Sequence, residues 1–260
     1  MTNILDDYAL LSPLRYSNNY LKIGVVSFGL LMGVSSVSPI TPLLIALSMS
    51  LATVFLGAIP GRFYLKLLSA PAVFVLLSVV VIAFFFGTGG ELFGFDIHGY
   101  RFAINTGGLN MALLVLARTL SGMSCLFFLA LTTPMVELFS VLKATKLPDS
   151  FIEISMMMYR YIFVFLEVAW GIRYAQNVRL GYRDWRTSLR SLAMLCTTLF
   201  LRSWEQGEKI FVSMNSRCYD GKLVFFEEKR PLRINEMMLT CLYVVVITSV
   251  WYTTRNVIII

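Results

Sequence analysis

The side chains able to do chemistry are few and far apart. One histidine, His98, and four cysteines, Cys125, Cys196, Cys218 and Cys241, are spread over 260 residues. The two closest cysteines stand 22 positions apart, and no Cys-x-x-Cys occurs. A Cys/His metal site of the usual spacing is therefore not expected. Widely spaced cysteines in an apolar chain read as small core residues in a reducing setting. His98 reads as an ordinary loop residue. Met156, Met157 and Met158 are consecutive and face different directions, which suits adaptable packing better than a soft-metal ladder. Asp149 and Glu153 share a helical face, but acids at a helix start are more simply complements to its dipole. No Gly-x-x-x-x-Gly-Lys-Ser/Thr loop occurs to cradle a nucleotide. Acids and bases do not gather around a nucleophile. No catalytic residue, cofactor, bound metal or nucleic-acid partner is expected.

What remains is the chemistry of arginine and lysine. The chain carries 22 basic and 15 acidic residues, a formal charge of +7. Residues 132–233 hold 15 of those bases and 10 of the acids, so most of the excess lies in one segment. Its pattern is helical. Pro134 follows Thr132 and Thr133 as a cap followed by a first helical position. Apolar residues then recur at helical spacing through 135–143. Pro148 separates that helix from a long one over 151–178. In it Glu153, Arg160 and Glu167 recur every seven residues, on one face. A second long helix is read over 187–216. Both are amphipathic and both end in basic clusters. They are too apolar for free solvent, and suit a membrane interface or packing against a bundle.

The elements that position this segment must be membrane helices. Apolar residues make up 57% of the chain and charged residues 14%, with mean hydropathy +0.74. A soluble domain carries about 25% charged residues, so a soluble enzyme and a disordered chain are both close to excluded. A span needs about 20 apolar residues. Residues 23–59 hold no charge and are broken by Ser38-Pro39-Ile40-Thr41-Pro42, enough for two short spans. Further runs lie at 67–86, 109–131 (interrupted by Arg118) and 237–254. The expectation is an all-α polytopic membrane protein of about five spans. Its parts are a bundle over 1–131, a segment of long amphipathic helices over 132–234 and a last span over 235–260. Arg15, Lys22, Arg62 and Lys66 set against the sparsely basic 87–108 loop put the N-terminus and the 132–234 segment in the cytoplasm. Residues 1–20 do not read as a cleaved signal peptide. Arg118 reads as snorkelling or as seeking an internal polar partner.

Several motifs in the basic segment occur in a telling order. Thr132-Thr133-Pro134 precedes Glu137-Leu138, then Lys146-Leu147-Pro148, then Tyr159-Arg160-Tyr161. The second long helix closes on Met214-Asn215-Ser216-Arg217-Cys218-Tyr219-Asp220-Gly221. The first closes on Val178-Arg179-Leu180-Gly181. This series resembles the transmembrane T component of energy-coupling factor (ECF) transporters, most closely the cobalt and nickel type. That family shows TTP…EL…LP…YRY and a terminal AM-x-ARG-Y-x-G. The resemblance spans about 7–251 and is strongest over 132–221. Val178 with Leu180, and Ser216 with Cys218, stand where the family has small residues beside each arginine.

The resemblance implies a non-catalytic coupling subunit in a prokaryotic plasma membrane. Arg179 and Arg217 would dock into grooves of a pair of cytoplasmic ABC-type ATPases, with their flanking residues at the contact. Their motion would pass to a separate substrate-binding membrane subunit. Cobalt is the first expected substrate, nickel the second and a vitamin the third. Thr133, Pro134, Pro148, Tyr159, Arg160 and Tyr161 carry the family pattern. Arginine suits docking at a helix C-terminus, because it complements the dipole and its fork binds carboxylates bidentately. The competing readings are a self-contained secondary transporter or channel and a membrane enzyme. The first would need ionisable residues inside several spans, with an inverted repeat as a further sign; only Arg118 offers itself, and no repeat is seen.

Overall fold

The computed structural model describes residues 4–85, 91–97, 100–144, 147–221 and 233–255. His98, Lys146, Lys222, Lys229 and Arg230 lie outside the described residues. The chain runs through α1 (Ile4–Leu11), a 3-10 turn (Pro13–Tyr16), α2 (Asn19–Ser35) and α3 (Ile40–Leu51). A π turn (Ala52–Leu56) extends α3 and leads to α4 (Gly61–Phe85). A hairpin follows, β1 (Glu91–Ile97) and β2 (Tyr100–Asn105). Then come α5 (Thr106–Thr132), α6 (Met135–Ala144), α7 (Asp149–Val178), α8 (Trp185–Asn215) and α9 (Ile234–Thr254). The architecture is the expected helical one of a polytopic membrane protein.

Three helices are long and apolar enough to cross a membrane: Gly61–Phe84, Thr106–Thr132 and Ile234–Thr254. The charge-free 23–59 stretch forms two shorter apolar helices, Asn19–Ser35 and Ile40–Leu56. Each rises about 25 Å, somewhat less than the hydrocarbon thickness. Asn18 caps α2 by accepting from the Tyr20 N–H at 2.9 Å. The break falls at the prolines, with Pro39 just before α3 and Pro42 in its first turn, where no intrahelical donor is needed. The 87–108 stretch, read as loop, contains an antiparallel pair whose backbone register matches Phe95 with Phe102 and Ile97 with Tyr100. Its alternation of aromatic and branched residues suits a short ribbon.

The chain divides into two compact units, one from Ile4–Met135 with Lys229–Ile260, the other built on Val136–Glu228. The first is the bundle. Val26, Ile45, Met49, Cys125, Phe128 and Ile247 form its apolar core. Gly29 and Gly33, one turn apart on α2, let α5 approach: a Cβ at Gly29 would meet Cys125 Sγ at 3.2 Å, and one at Gly33 would meet Ser121 Oγ at 2.8 Å. This is the small-residue packing of membrane helices. Arg118 finds an internal partner. Its Nε and Nη2 donate to the Ser36 carbonyl at 3.2 and 2.7 Å, so α5 caps the C-terminus of α2. Hydroxyls tie α9 in place: Thr41 with Thr254 at 2.8 Å, and Ser48 with Tyr243 at 3.0 Å.

Candidate docking site

Pro148 precedes α7 in an extended conformation, with Asp149 in the first turn. The expected helix over 151–178 is this one. The expected helix over 187–216 is α8. It starts from a reciprocal capping box between Asp184 and Thr187. The two helices run antiparallel. Near their connecting turn, Gln176 Nε2 donates to the Ser191 carbonyl at 2.9 Å, and the Tyr182 hydroxyl donates to Gln176 Oε1 at 2.7 Å. At the far end the Tyr219 hydroxyl donates to Glu153 Oε2 at 3.3 Å. Desolvation, then the Glu153 carboxylate, pushes the Tyr219 phenol above its ordinary value. The seven-residue series on α7 is therefore not one solvent face. Glu153 is buried and paired, whereas Arg160 and Glu167 are exposed.

The two arginines occupy equivalent places. Arg179 sits at the stop of α7. Leu180 follows with φ 58°, its N–H bonding the Asn177 carbonyl at 3.0 Å, and Gly181 N–H bonds Gln176 at 2.9 Å. At the stop of α8, Arg217 is followed by Cys218 with φ 59°. Cys218 N–H bonds Asn215 at 3.1 Å, and Tyr219 N–H bonds Met214 at 3.1 Å. Both are Schellman stops with arginine at the last helical place and a left-handed residue next. Glycine is the usual occupant of that left-handed place, and a side chain there is strained. Leu180 and Cys218 adopt it nonetheless. Val178, Arg179, Leu180, Ser216, Arg217 and Cys218 are all exposed. Neither guanidinium has a hydrogen bond or ion pair among the described residues. Because the helices are antiparallel, the arginines lie at opposite ends of the hairpin. The 31 residues of α8 put them on the order of 45 Å apart.

Between the two ends the helices diverge around an apolar groove of about 810 Å³, walled by Phe139, Met158, Tyr161, Ile162, Phe211 and Met214. Of the motif residues, Tyr161 lines this groove and Arg160 points away, exposed. Tyr159 also lines it and stacks edge-on with Phe139 at 6.2 Å and with Phe163 at 5.2 Å. Thr133 and Pro134 belong to the α5–α6 junction. Thr133 is buried and its N–H bonds the Leu129 carbonyl at 3.0 Å; α6 begins one residue after Pro134. Near the turn, Arg173 lies over Trp170 at 5.5 Å and over Tyr182 at 5.8 Å. The tying residues Gln176, Ser191 and Tyr182 carried no sequence signal of their role. Among the described residues no group of three or more His, Cys, Asp and Glu could hold a metal ion.

Residues 12–227 match the family model described as cobalt transport protein, CbiQ. The chain belongs to the CbiQ family, the transmembrane component of energy-coupling factor transporters. A fused cobalt transport protein CbiMQ of Methanocorpusculum labreanum is 44% identical over 94% of this chain, which spans only 41% of that longer protein. An uncharacterized protein of Methanocaldococcus jannaschii is 35% identical, covering 98% of this chain and 94% of its own length. The energy-coupling factor transporter transmembrane protein EcfT of Limosilactobacillus fermentum is 27% identical over 70% of each chain. The family relatives so named are transport components, and this chain is a membrane component of that kind.

Proposed function

We propose that this chain is the coupling subunit of an ATP-driven importer of cobalt ions, hydrolysing nothing itself. The observation that carries the reading is the repeated helix stop. Arg179 and Arg217 occupy the same position in two Schellman motifs at opposite ends of one antiparallel hairpin. Each guanidinium projects where a helix ends, unpaired among the described residues, and each can fork onto a carboxylate of a separate partner. A spacing of about 45 Å suits two ATPase subunits engaged at once. Val178, Leu180, Ser216 and Cys218 surround those contacts. The 132–234 segment would lie in the cytoplasm with the N-terminus, as its charge favours. Separation of Val136–Glu228 as a compact unit supports a coupling segment distinct from the membrane bundle over 1–131 and 235–260.

The partner that binds cobalt would be a membrane subunit. The name of the fused relative joins a second component to a chain like this one. The apolar groove between α7 and α8 supports an apolar partner surface. The deciding experiment is the double charge reversal Arg179→Glu with Arg217→Glu. It should abolish co-purification with the ATPase pair and leave the bundle folded; intact co-purification would overturn the docking role. Calorimetry on the purified chain should detect no tight cobalt or nickel binding, and tight binding would overturn the division of labour.

A further inference from the structure

The bundle contains a second cleft, separate from the α7–α8 hairpin. It measures about 490 Å³ and opens between α2, the end of α3 and α9. Ligand cavities typically have this size or more. Its walls are largely apolar: Leu21 and Val25 from α2, Met49 and Ala52 from α3 and its π turn, Leu239 from α9, and Phe128 from α5, with Thr240 beside them. Ser48 and Tyr243, hydrogen-bonded to each other at 3.0 Å, also line it. Glu236 and Tyr243, seven residues apart on α9, give it a depth of about 10 Å.

The outer end is polar and built. It lies where α2 and α9 both begin. Ser17 Oγ and the Asn18 N–H donate to Glu236 Oε2 at 2.9 and 3.2 Å, clasping the two helices together. That carboxylate is already engaged by donors. Lys22 lines the cleft at only 5% exposure. Its Nζ donates to Asn19 Oδ1 at 3.0 Å and to the Thr132 carbonyl, at the end of α5, at 3.3 Å. Arg233 stands at the rim and is exposed, with no guanidinium partner among the described residues. Lys22 and Arg233 together outweigh Glu236, so the rim is net positive. A narrow apolar slot beneath a cationic rim, inside a membrane bundle, matches one class of molecule: a chain with an anionic head.

We propose that this cleft holds a single anionic phospholipid, one acyl chain between α2, α3 and α9 and its phosphate on Arg233, with Lys22 behind. The bilayer supplies the ligand. Burial of methylenes holds the chain, and the rim selects the charge. The lipid would brace α9, which has little buried surface of its own.

Native mass spectrometry of the full purified chain tests this with phosphatidylglycerol, phosphatidylcholine and glycerol phosphate as probes. One phosphatidylglycerol should be retained in preference to phosphatidylcholine, and glycerol phosphate should not be retained. Arg233→Gln, at an exposed position, should cut phosphatidylglycerol retention about fivefold and remove the preference. Leu239→Trp and Thr240→Phe fill the slot and should lose the lipid, with circular dichroism checking the fold. Equal retention of the two lipids overturns the proposal. So does phosphatidylglycerol bound unchanged by the Arg233→Gln chain or by a folded slot-filled variant. Retention of glycerol phosphate alone would mean an anion site rather than a lipid site, and overturns it too.

Discussion

The bundle and the hairpin are both helical, yet they hide different things. In the bundle, Thr41, Thr53, Ser121, Ser124 and Thr132 are almost fully buried, alongside Ile45 and Leu131. Lipid tails are as apolar as leucine, so close approach and hydrogen bonds must hold such helices together. Gly29 and Gly33 supply the approach, and Arg118 with Ser36 supplies a strong bond. In the hairpin, α8 has no buried residue, and it presents Trp185, Phe200, Trp204 and Phe211 to its surroundings. Hydrogen bonds close the hairpin at its two ends and leave a groove between. The contrast teaches that the bundle is stabilised from within. Both units leave large apolar side chains in the open: Phe74 and Leu77 on α4 suit lipid tails, whereas those of a basic, charged helix such as α8 mark a surface meant for contact.

Mutations can break that comparison. The largest effect belongs to Gly33→Val, whose Cβ would meet Ser121 Oγ at 2.8 Å. It should destabilise the bundle by about 3 kcal/mol, read as a lower melting midpoint in detergent. An unchanged midpoint would deny that α2 and α5 need backbone proximity. Arg118→Leu removes the bidentate bond to Ser36 and should cost about 2 kcal/mol by the same measurement. Leu180→Gly and Cys218→Gly release the left-handed strain and should each stabilise a hairpin stop by about 1 kcal/mol. Slower amide exchange at residues 176–181 and 214–219 checks this, with the bundle midpoint unmoved. Faster exchange would show that the side chains hold the stops in place. The smallest change is Tyr219→Phe, which removes the hydrogen bond to Glu153. Exchange should rise at that end of the hairpin alone. The Tyr219 phenol is raised above its ordinary 10.0. The stability its proton provides is present below that value and lost as pH climbs through the raised one. In the wild type the open end should loosen only in that alkaline range, and the phenylalanine variant should lack the transition.

Much of this was legible in the sequence because it is local. Helical periodicity and the prolines at 134 and 148 located α6, α7 and α8 to within a few residues. The motif order singled out Arg179 and Arg217. The bulky residues after them were visible as departures, but their positive φ was not, since propensity says leucine avoids it. The partner of Arg118 lies 82 positions away at Ser36, and that of Glu153 lies 66 away at Tyr219. No periodicity encodes such pairs. The hairpin of β1 and β2 hid among glycines that read as loop. The π turn after α3 carried no local signal either, and the Gly57 carbonyl just after it accepts from Ser12 Oγ, 45 positions away, at 3.1 Å.

The repeated stop has a mechanical consequence. With Arg179 and Arg217 as the proposed attachment points, a stiff rod held at opposite ends would respond to direction as well as to force. Pushed the same way, both ends carry the hairpin sideways without turning it. Pushed in opposite ways, they form a couple that swings it about its middle. With arms of about 23 Å, a displacement of about 5 Å at each end becomes a rotation of about 12°. The end-to-end hydrogen bonds through Gln176 and Tyr219 would keep both helices moving as one piece.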